Sequence, residues 1–190
     1  MPNVHDPLFR WAFSDPRRVG SLLRAILPPA LVALIDCQAI TPAPVELVDK
    51  DLSEKRPDTV WRLPLHGRSF CLYLILEHQS QDLRHMGLRL LDYARGFWMW
   101  WSEKHRRATF LPPIVGLVLS HDPHGWRSPT RLRDLCQTDP ELEGVLGAKP
   151  PNVEFFLEDL QRRKDQDILA WEMDAVGKLT LLLLKHAKGS

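Results

Sequence analysis

Phe70-Cys71-Leu72-Tyr73-Leu74-Ile75-Leu76-Glu77-His78-Gln79 is the stretch that decides the fold. Seven apolar residues run from Phe70 to Leu76 and stop at a carboxylate. A short, continuous apolar run of this kind reads as a buried strand. An unpaired charge at the edge of a core is penalised by several kcal/mol, so Glu77 needs a partner. The least costly partner is a metal ion.

Glu77 and Gln79 lie two residues apart on an extended segment, so their side chains share a face, and His78 takes the opposite one. Asp58 opens the preceding apolar strand and can lie beside them. Carboxylate oxygens with a neutral amide nearby are hard ligands, suited to Mg²⁺ or Mn²⁺ and poorly suited to zinc. A cation of that type lowers the pKa of bound water and neutralises the charge that builds on a phosphodiester. Residue type and spacing therefore favour metal-assisted phosphoryl transfer.

Working outward, Thr59 to Leu65 has β-branched and aromatic character, His66-Gly67-Arg68 supplies a turn, and Ser69 to Leu76 returns, which predicts a hairpin. Leu83, Met86, Leu90, Ala94, Phe97 and Trp101 recur at helical spacing, predicting a long amphipathic helix over Asp82 to Lys104. Pro113 to Leu119 reads as another buried strand, parallel because a helix precedes it. Val153 to Leu157 is expected to add an edge strand, and Ile168 to His186 a final helix. Towards the N-terminus, Asp6-Pro7 and Asp15-Pro16 each place a cap before a proline, predicting helices over Pro7–Phe13 and Pro16–Leu27. Another turn of helix is expected in Ala30–Ile35. Thr41-Pro42-Ala43-Pro44 reads as a rigid connector, followed by Val45–Val48 and a charged loop, Asp49–Arg56. Strand, hairpin, helix and strand together make an α/β sheet.

The chain has 190 residues, 44% of them hydrophobic, with seven tryptophans, enough for one domain with a sizeable core. No segment has the apolar length of a membrane span, and His5, Asp6 and Arg10 stand where a secretory signal would be apolar. A cytoplasmic protein without a membrane partner is expected. Cys37, Cys71 and Cys136 are far apart, which supports neither a disulfide framework nor a cysteine zinc site and leaves buried filler as their default role. Net charge is only +1, but Arg84 to Arg107 carries six basic residues against Asp92 and Glu103. Asp139 to Asp159 is acidic. Such asymmetry fits either a polyanion-facing side or a solvated helix face.

These residues resemble the PD-(D/E)XK nuclease superfamily, and more narrowly the Rpn recombination-promoting nuclease or YhgA-like transposase family. The matching pieces are His5-Asp6-Pro7-Leu8-Phe9, Asp51-Leu52 with Pro57-Asp58-Thr59-Val60-Trp61, and Ile75-Leu76-Glu77-His78-Gln79-Ser80. Arg89-Leu90-Leu91-Asp92-Tyr93-Ala94 and Pro113 to His121 follow in the same order. The match is good to about residue 125 and loose over the C-terminal strand and helix of 126–190, within one nuclease-like domain. The resemblance implies a restriction-endonuclease-like fold, a mixed central sheet flanked by helices. It also implies Mg²⁺-dependent DNA cleavage with Asp58 and Glu77 as metal ligands. Gln79 replaces the superfamily's lysine, as in the narrower family. A glutamine orients water through hydrogen bonds without bringing charge, so weaker or more metal-dependent activity is expected.

Further candidates are Asp51, which could bring a third carboxylate, and Asp6, whose place before Pro7 already suits a helix cap. Arg89 and Tyr93, on the helix after the metal motif, could approach a phosphate. Arg84 and Lys104 are candidates for DNA backbone contacts. Phe97-Trp98-Met99-Trp100-Trp101 has the composition of a base-stacking cluster, but helical spacing assigns Phe97 and Trp101 to the core and leaves Trp98 and Trp100 open. Three functions remain: a metal-dependent DNA endonuclease, a catalytically weak DNA-binding or assembly module on the same fold, and, from the near-neutral charge, a structural protein that takes no nucleic acid. Oligomeric state stays open, a homodimer included.

Overall fold

The apolar run becomes the middle strand of a five-stranded sheet. In the computed structural model, which describes residues 5–43 and 57–187, the strands are β1 (Thr41–Pro42), β2 (Thr59–Pro64), β3 (Cys71–Gln79), β4 (Ile114–Ser120) and β5 (Phe155–Asp159). They lie side by side in that order. The β1–β2 and β2–β3 pairs are antiparallel, and the β3–β4 and β4–β5 pairs are parallel. The sheet is therefore mixed, as expected for a restriction-endonuclease-like arrangement.

Both faces of β3 are covered, which is why Leu72 to His78 are all buried. Alternation puts Tyr73, Ile75, Glu77 and Gln79 on one face. There Ile75 and Val118 pack against Met86, Leu90 and Tyr93 of α4 (Met86–Lys104). Leu72, Leu74 and Leu76 point the other way, into a larger cluster with Phe9 of α1 (His5–Ala12), Leu22 and Leu23 of α2 (Pro16–Ile26), and Leu181 and Leu184 of α7 (Ala175–His186). Each such buried side chain contributes roughly 1.5–3 kcal/mol. A Cβ on Gly116 of β4 would stand 2.8 Å from Leu90 Cδ1, so the absence of a side chain there lets α4 lie close on the sheet.

Several boundaries differ from the sequence expectation. The long helix starts at Met86, four residues after Asp82, because Asp82 is tied elsewhere. Its carboxylate accepts the backbone N–H groups of Arg127 at 3.2 Å and Ser128 at 3.3 Å, and its own N–H donates to Asp122 Oδ2 at 2.6 Å. The expected single C-terminal helix is two, α6 (Asp165–Ala170) and α7, because Asp174 is extended and caps α7 by accepting the Gly177 N–H at 2.8 Å. Thr41-Pro42, read as a connector, pairs with Arg62 and Trp61. Cys136 is exposed and Cys37 and Cys71 are only half-buried, so none is core filler in the full sense. The remaining helix, α3, is a single turn at Pro29–Val32, and α5 spans Pro140–Leu146. Val45–Val48 and the charged loop to Arg56, Asp51 included, lie outside the described residues. No helix among the described residues is long and apolar enough to cross a membrane.

Candidate metal-binding active site

The parallel strands end together in polar residues: Glu77-His78-Gln79 on β3, Ser120-His121-Asp122 on and after β4, and Glu158-Asp159 on β5. Ligands of α/β sheets bind outside such carboxyl ends. Asp58 joins them from the antiparallel side, since Thr59 pairs with Leu76 and places its predecessor next to Glu77. The two acids are fastened by backbone N–H groups, Glu77 by that of Asp58 and Asp58 by that of His78. The Asp58 N–H donates to Glu77 Oε1 at 3.0 Å, and the His78 N–H donates to Asp58 Oδ2 at 2.8 Å. Gln79 Nε2 donates to Glu77 Oε2 at 3.1 Å. Asp58, Glu77 and Gln79 are thus together at one spot.

Glu77 is 2% exposed. Burial pushes its pKa up to about 8, the neighbouring Asp58 charge adds to this, and Arg89, the Asp58 N–H and Gln79 pull the other way. Asp58 has a cation of its own: Arg10 of α1 places Nε at 3.1 Å and Nη2 at 2.8 Å from Oδ1. Sequence reasoning did not single out Arg10. Its only local signal is a basic residue in the last turn of α1, and nothing in the chain announces a contact across 48 positions.

Arg89 and Tyr93, one helical turn apart, share the face of α4 that looks onto this end of the sheet. The Arg89 guanidinium carbon lies 5.9 Å from the Tyr93 ring centroid. Tyr93 is buried, and its hydroxyl has no hydrogen-bond partner among the described residues. Burial, followed by the Glu77 charge, pushes its pKa up to about 12, so it stays a donor. Asp51 lies outside the described residues, as does the side chain of Asp6, whose backbone belongs to α1 rather than preceding it. Arg84 is exposed just before α4, and Lys104 ends that helix, away from Glu77.

The other buried acids at these strand ends already have structural partners. Glu158 is held by Arg163 through Nε at 2.6 Å and Nη2 at 2.9 Å. Asp159 accepts the Trp126 N–H at 2.8 Å and meets Arg162 at 3.1 Å. Burial works against the Asp122 charge, but the backbone N–H groups of His124 and Asp82 outweigh it and hold the carboxyl below its ordinary range. His78, on the opposite face, is buried with its Nε2 at 2.8 Å from His121 Nδ1 and its ring stacked on Phe9. At the Asp58–Glu77 pair two carboxylates meet, with the half-exposed Arg10 guanidinium on Asp58 and the Arg89 charge acting on Glu77.

A sequence profile of the family described as "Putative transposase, YhgA-like" matches residues 3–190. The chain belongs to this family. Among curated proteins it is 27% identical over 184 residues to "Recombination-promoting nuclease RpnD" of Escherichia coli O157:H7, covering 97% of this chain and 68% of that one. It is 27% identical over 189 residues to "Recombination-promoting nuclease RpnA" of Escherichia coli strain K12, covering 97% of this chain and 60% of the relative. It is also 28% identical over 119 residues to "Inactive recombination-promoting nuclease-like protein RpnE" of the same strain, with 62% of this chain and 38% of the relative covered. The chain spans about two thirds or less of the length of these relatives. No solved structure matches.

For this YhgA-like chain the donor set at Asp58 and Glu77 can be weighed against a hard divalent cation. Two carboxylates and the Gln79 amide offer oxygen ligands only, and Mg²⁺ typically binds through one or two carboxylates while keeping several waters. The fit is adequate in chemistry and minimal in number. No group of three or more His, Cys, Asp or Glu side chains converges for a metal among the described residues. Asp58 and Glu77 would hold the ion, and Arg10 would have to yield its place on Asp58 Oδ1.

Proposed function

We propose that this chain is a metal-dependent DNA endonuclease that hydrolyses phosphodiester bonds at the Asp58–Glu77 pair. The observation that carries the reading is the fastening of two carboxylates by backbone N–H groups at the strand ends, with Glu77 buried and its charge disfavoured by Asp58. Mg²⁺, or Mn²⁺ in its place, is the cofactor. When bound, such an ion activates water and neutralises charge on the phosphodiester.

The chain's own residues supply the rest. Gln79, with its Nε2 committed to Glu77, presents its amide oxygen to accept a hydrogen bond from a water and aim it. Arg89 faces the same site and donates to phosphate oxygens. Asp51 is a further candidate carboxylate for the same ion, and Arg84 a candidate for contact with the DNA backbone. A cytoplasmic location belongs to the same proposal. Nicking of supercoiled plasmid with Mg²⁺ or Mn²⁺ tests it: wild type is expected to cut, and Asp58→Ala and Glu77→Ala to leave the plasmid intact. Equal behaviour of all three proteins would end the proposal.

The second reading is a catalytically weak or inactive DNA-binding or assembly module. It is favoured by the neutral Gln79, by Arg10 already seated on Asp58, and by the "inactive" in the name of one relative. Salt-dependent DNA binding without metal-dependent nicking would select it.

A further inference from the structure

A groove of about 520 Å³ opens beside the C-terminal end of α4, on the same face of the sheet as Glu77. Arg62 of β2 pairs in register with Tyr73 of β3, so both side chains line it from the sheet. Phe70, Trp101, Phe110 and Leu111 complete the apolar wall, and Arg62 is the charged residue among the lining side chains.

This wall is unusually open for aromatic surface. Phe70 is 52% exposed and Phe110 83%. The Arg68 guanidinium carbon lies 5.9 Å from the Phe70 ring centroid. The chain joining Trp101 to Phe110 carries Lys104, Arg106 and Arg107 against Glu103 alone. Arg62, Arg68, Arg106 and Arg107 are exposed and form no ion pair among the described residues.

Exposed aromatic faces set among cations are complementary to a chain that alternates planar bases with phosphates. An apolar segment of a protein would cover the rings and leave the arginines uncompensated. Position adds to this. Tyr73 and Glu77 lie four residues apart on β3, about 13 Å at about 3.3 Å per residue.

We propose that this groove is a second nucleic-acid contact that takes unpaired bases of a strand, stacking them on Phe70 and Phe110 while Arg62 and Arg68 meet the phosphates. The choice of nucleic acid rests on the nuclease reading; the groove chemistry stands apart from the Asp58–Glu77 pair.

The test is fluorescence anisotropy of a labelled oligo-dT on the full chain in EDTA, where cleavage cannot interfere, with plasmid nicking in Mg²⁺ measured alongside. Phe70→Ala/Phe110→Ala is expected to weaken oligo-dT binding about tenfold or more. Arg62→Ala is expected to lower the salt slope by about one. Both variants alter exposed side chains, and an unchanged Tm shows that they fold. Unchanged affinity and slope, or no binding by wild type, overturns the groove proposal even if the plasmid is nicked. Weakened binding by the groove variants beside an intact plasmid keeps the groove and removes the nuclease reading. A change of oligomeric state by sedimentation, with oligo-dT affinity unchanged, would make the groove a self-interface and overturn the proposal.

Discussion

Arg10 and Asp58 are joined by a forked contact in which Nε and Nη2 of one guanidinium share a single oxygen, Oδ1, at 3.1 and 2.8 Å. The arginine is half-exposed and the aspartate side chain nearly covered, so the cation can leave more readily than the anion. Arg10→Ala should cost about 1–3 kcal/mol of metal-free stability, because it takes one partner from a nearly covered carboxylate. Its second effect should be on Mn²⁺, whose midpoint for raising Tm is expected to fall several-fold because one competitor for Oδ1 is gone. A thermal-shift titration of both proteins checks this; an unchanged midpoint would mean that the guanidinium and the ion do not compete.

Tyr93 holds a buried hydroxyl without a partner among the described residues, in the field of Glu77. An unsatisfied buried polar group is a cost, so Tyr93→Phe should leave the protein as stable or more stable, by up to about 1 kcal/mol. If that hydroxyl donates to the phosphate, the same change lowers the nicking rate about tenfold or more. Urea unfolding and plasmid nicking on one preparation separate the two effects. Loss of stability without loss of rate would assign the hydroxyl to packing.

Glu158 depends on Arg163. The carboxylate is 3% exposed and takes both arms of the guanidinium. Arg163→Ala should cost about 3–5 kcal/mol, since it strands a buried charge, and Glu158→Gln in the same background should recover part of it. A double-mutant cycle in urea measures the coupling. Additive losses would show that Glu158 reaches water in the variant.

Asp15 caps α2 and also takes the Arg17 side chain, with Oδ1 accepting the Arg17 N–H at 2.9 Å and Oδ2 accepting Nη2 at 2.8 Å. The Arg17 side chain first, then its backbone N–H, lower the carboxyl from 3.8 to about 2. A depressed carboxylate stabilises the fold above its unfolded pKa, and that contribution is lost as pH falls from about 3.8 through about 2. Asp15→Ala should cost about 1 kcal/mol at neutral pH. The cost should shrink as the pH falls through that window. Urea midpoints at pH 7 and near pH 2 test the convergence.

Much of the fold is legible because short-range rules govern it. The continuous apolar run of β3, the turn at His66-Gly67-Arg68 and the helical spacing through Trp101 each depend on neighbours within a few positions. Asp82 shows where such rules stop. It sits in a stretch whose spacing reads as helix, yet its carboxylate accepts the N–H groups of Arg127 and Ser128, far along the chain. The Arg10 contact and the Tyr93 environment are illegible for the same reason. They join elements whose approach is set by packing across the sheet, not by the residues beside them.

By itself, the sequence determined that this chain builds an α/β sheet around one apolar strand that carries Glu77 and that Gln79 shares its face. Period two in an extended chain admits no other outcome. Only the tertiary structure decided what surrounds that carboxylate: Asp58 bound to its neighbour's backbone, Arg10 on the outer oxygen, Arg89 and Tyr93 overhead, and the basic aromatic groove four residues down the same strand. Those relations follow from how helices are drawn onto the two faces by apolar burial, a non-directional force that acts between residues far apart in the chain and leaves little trace in local pattern.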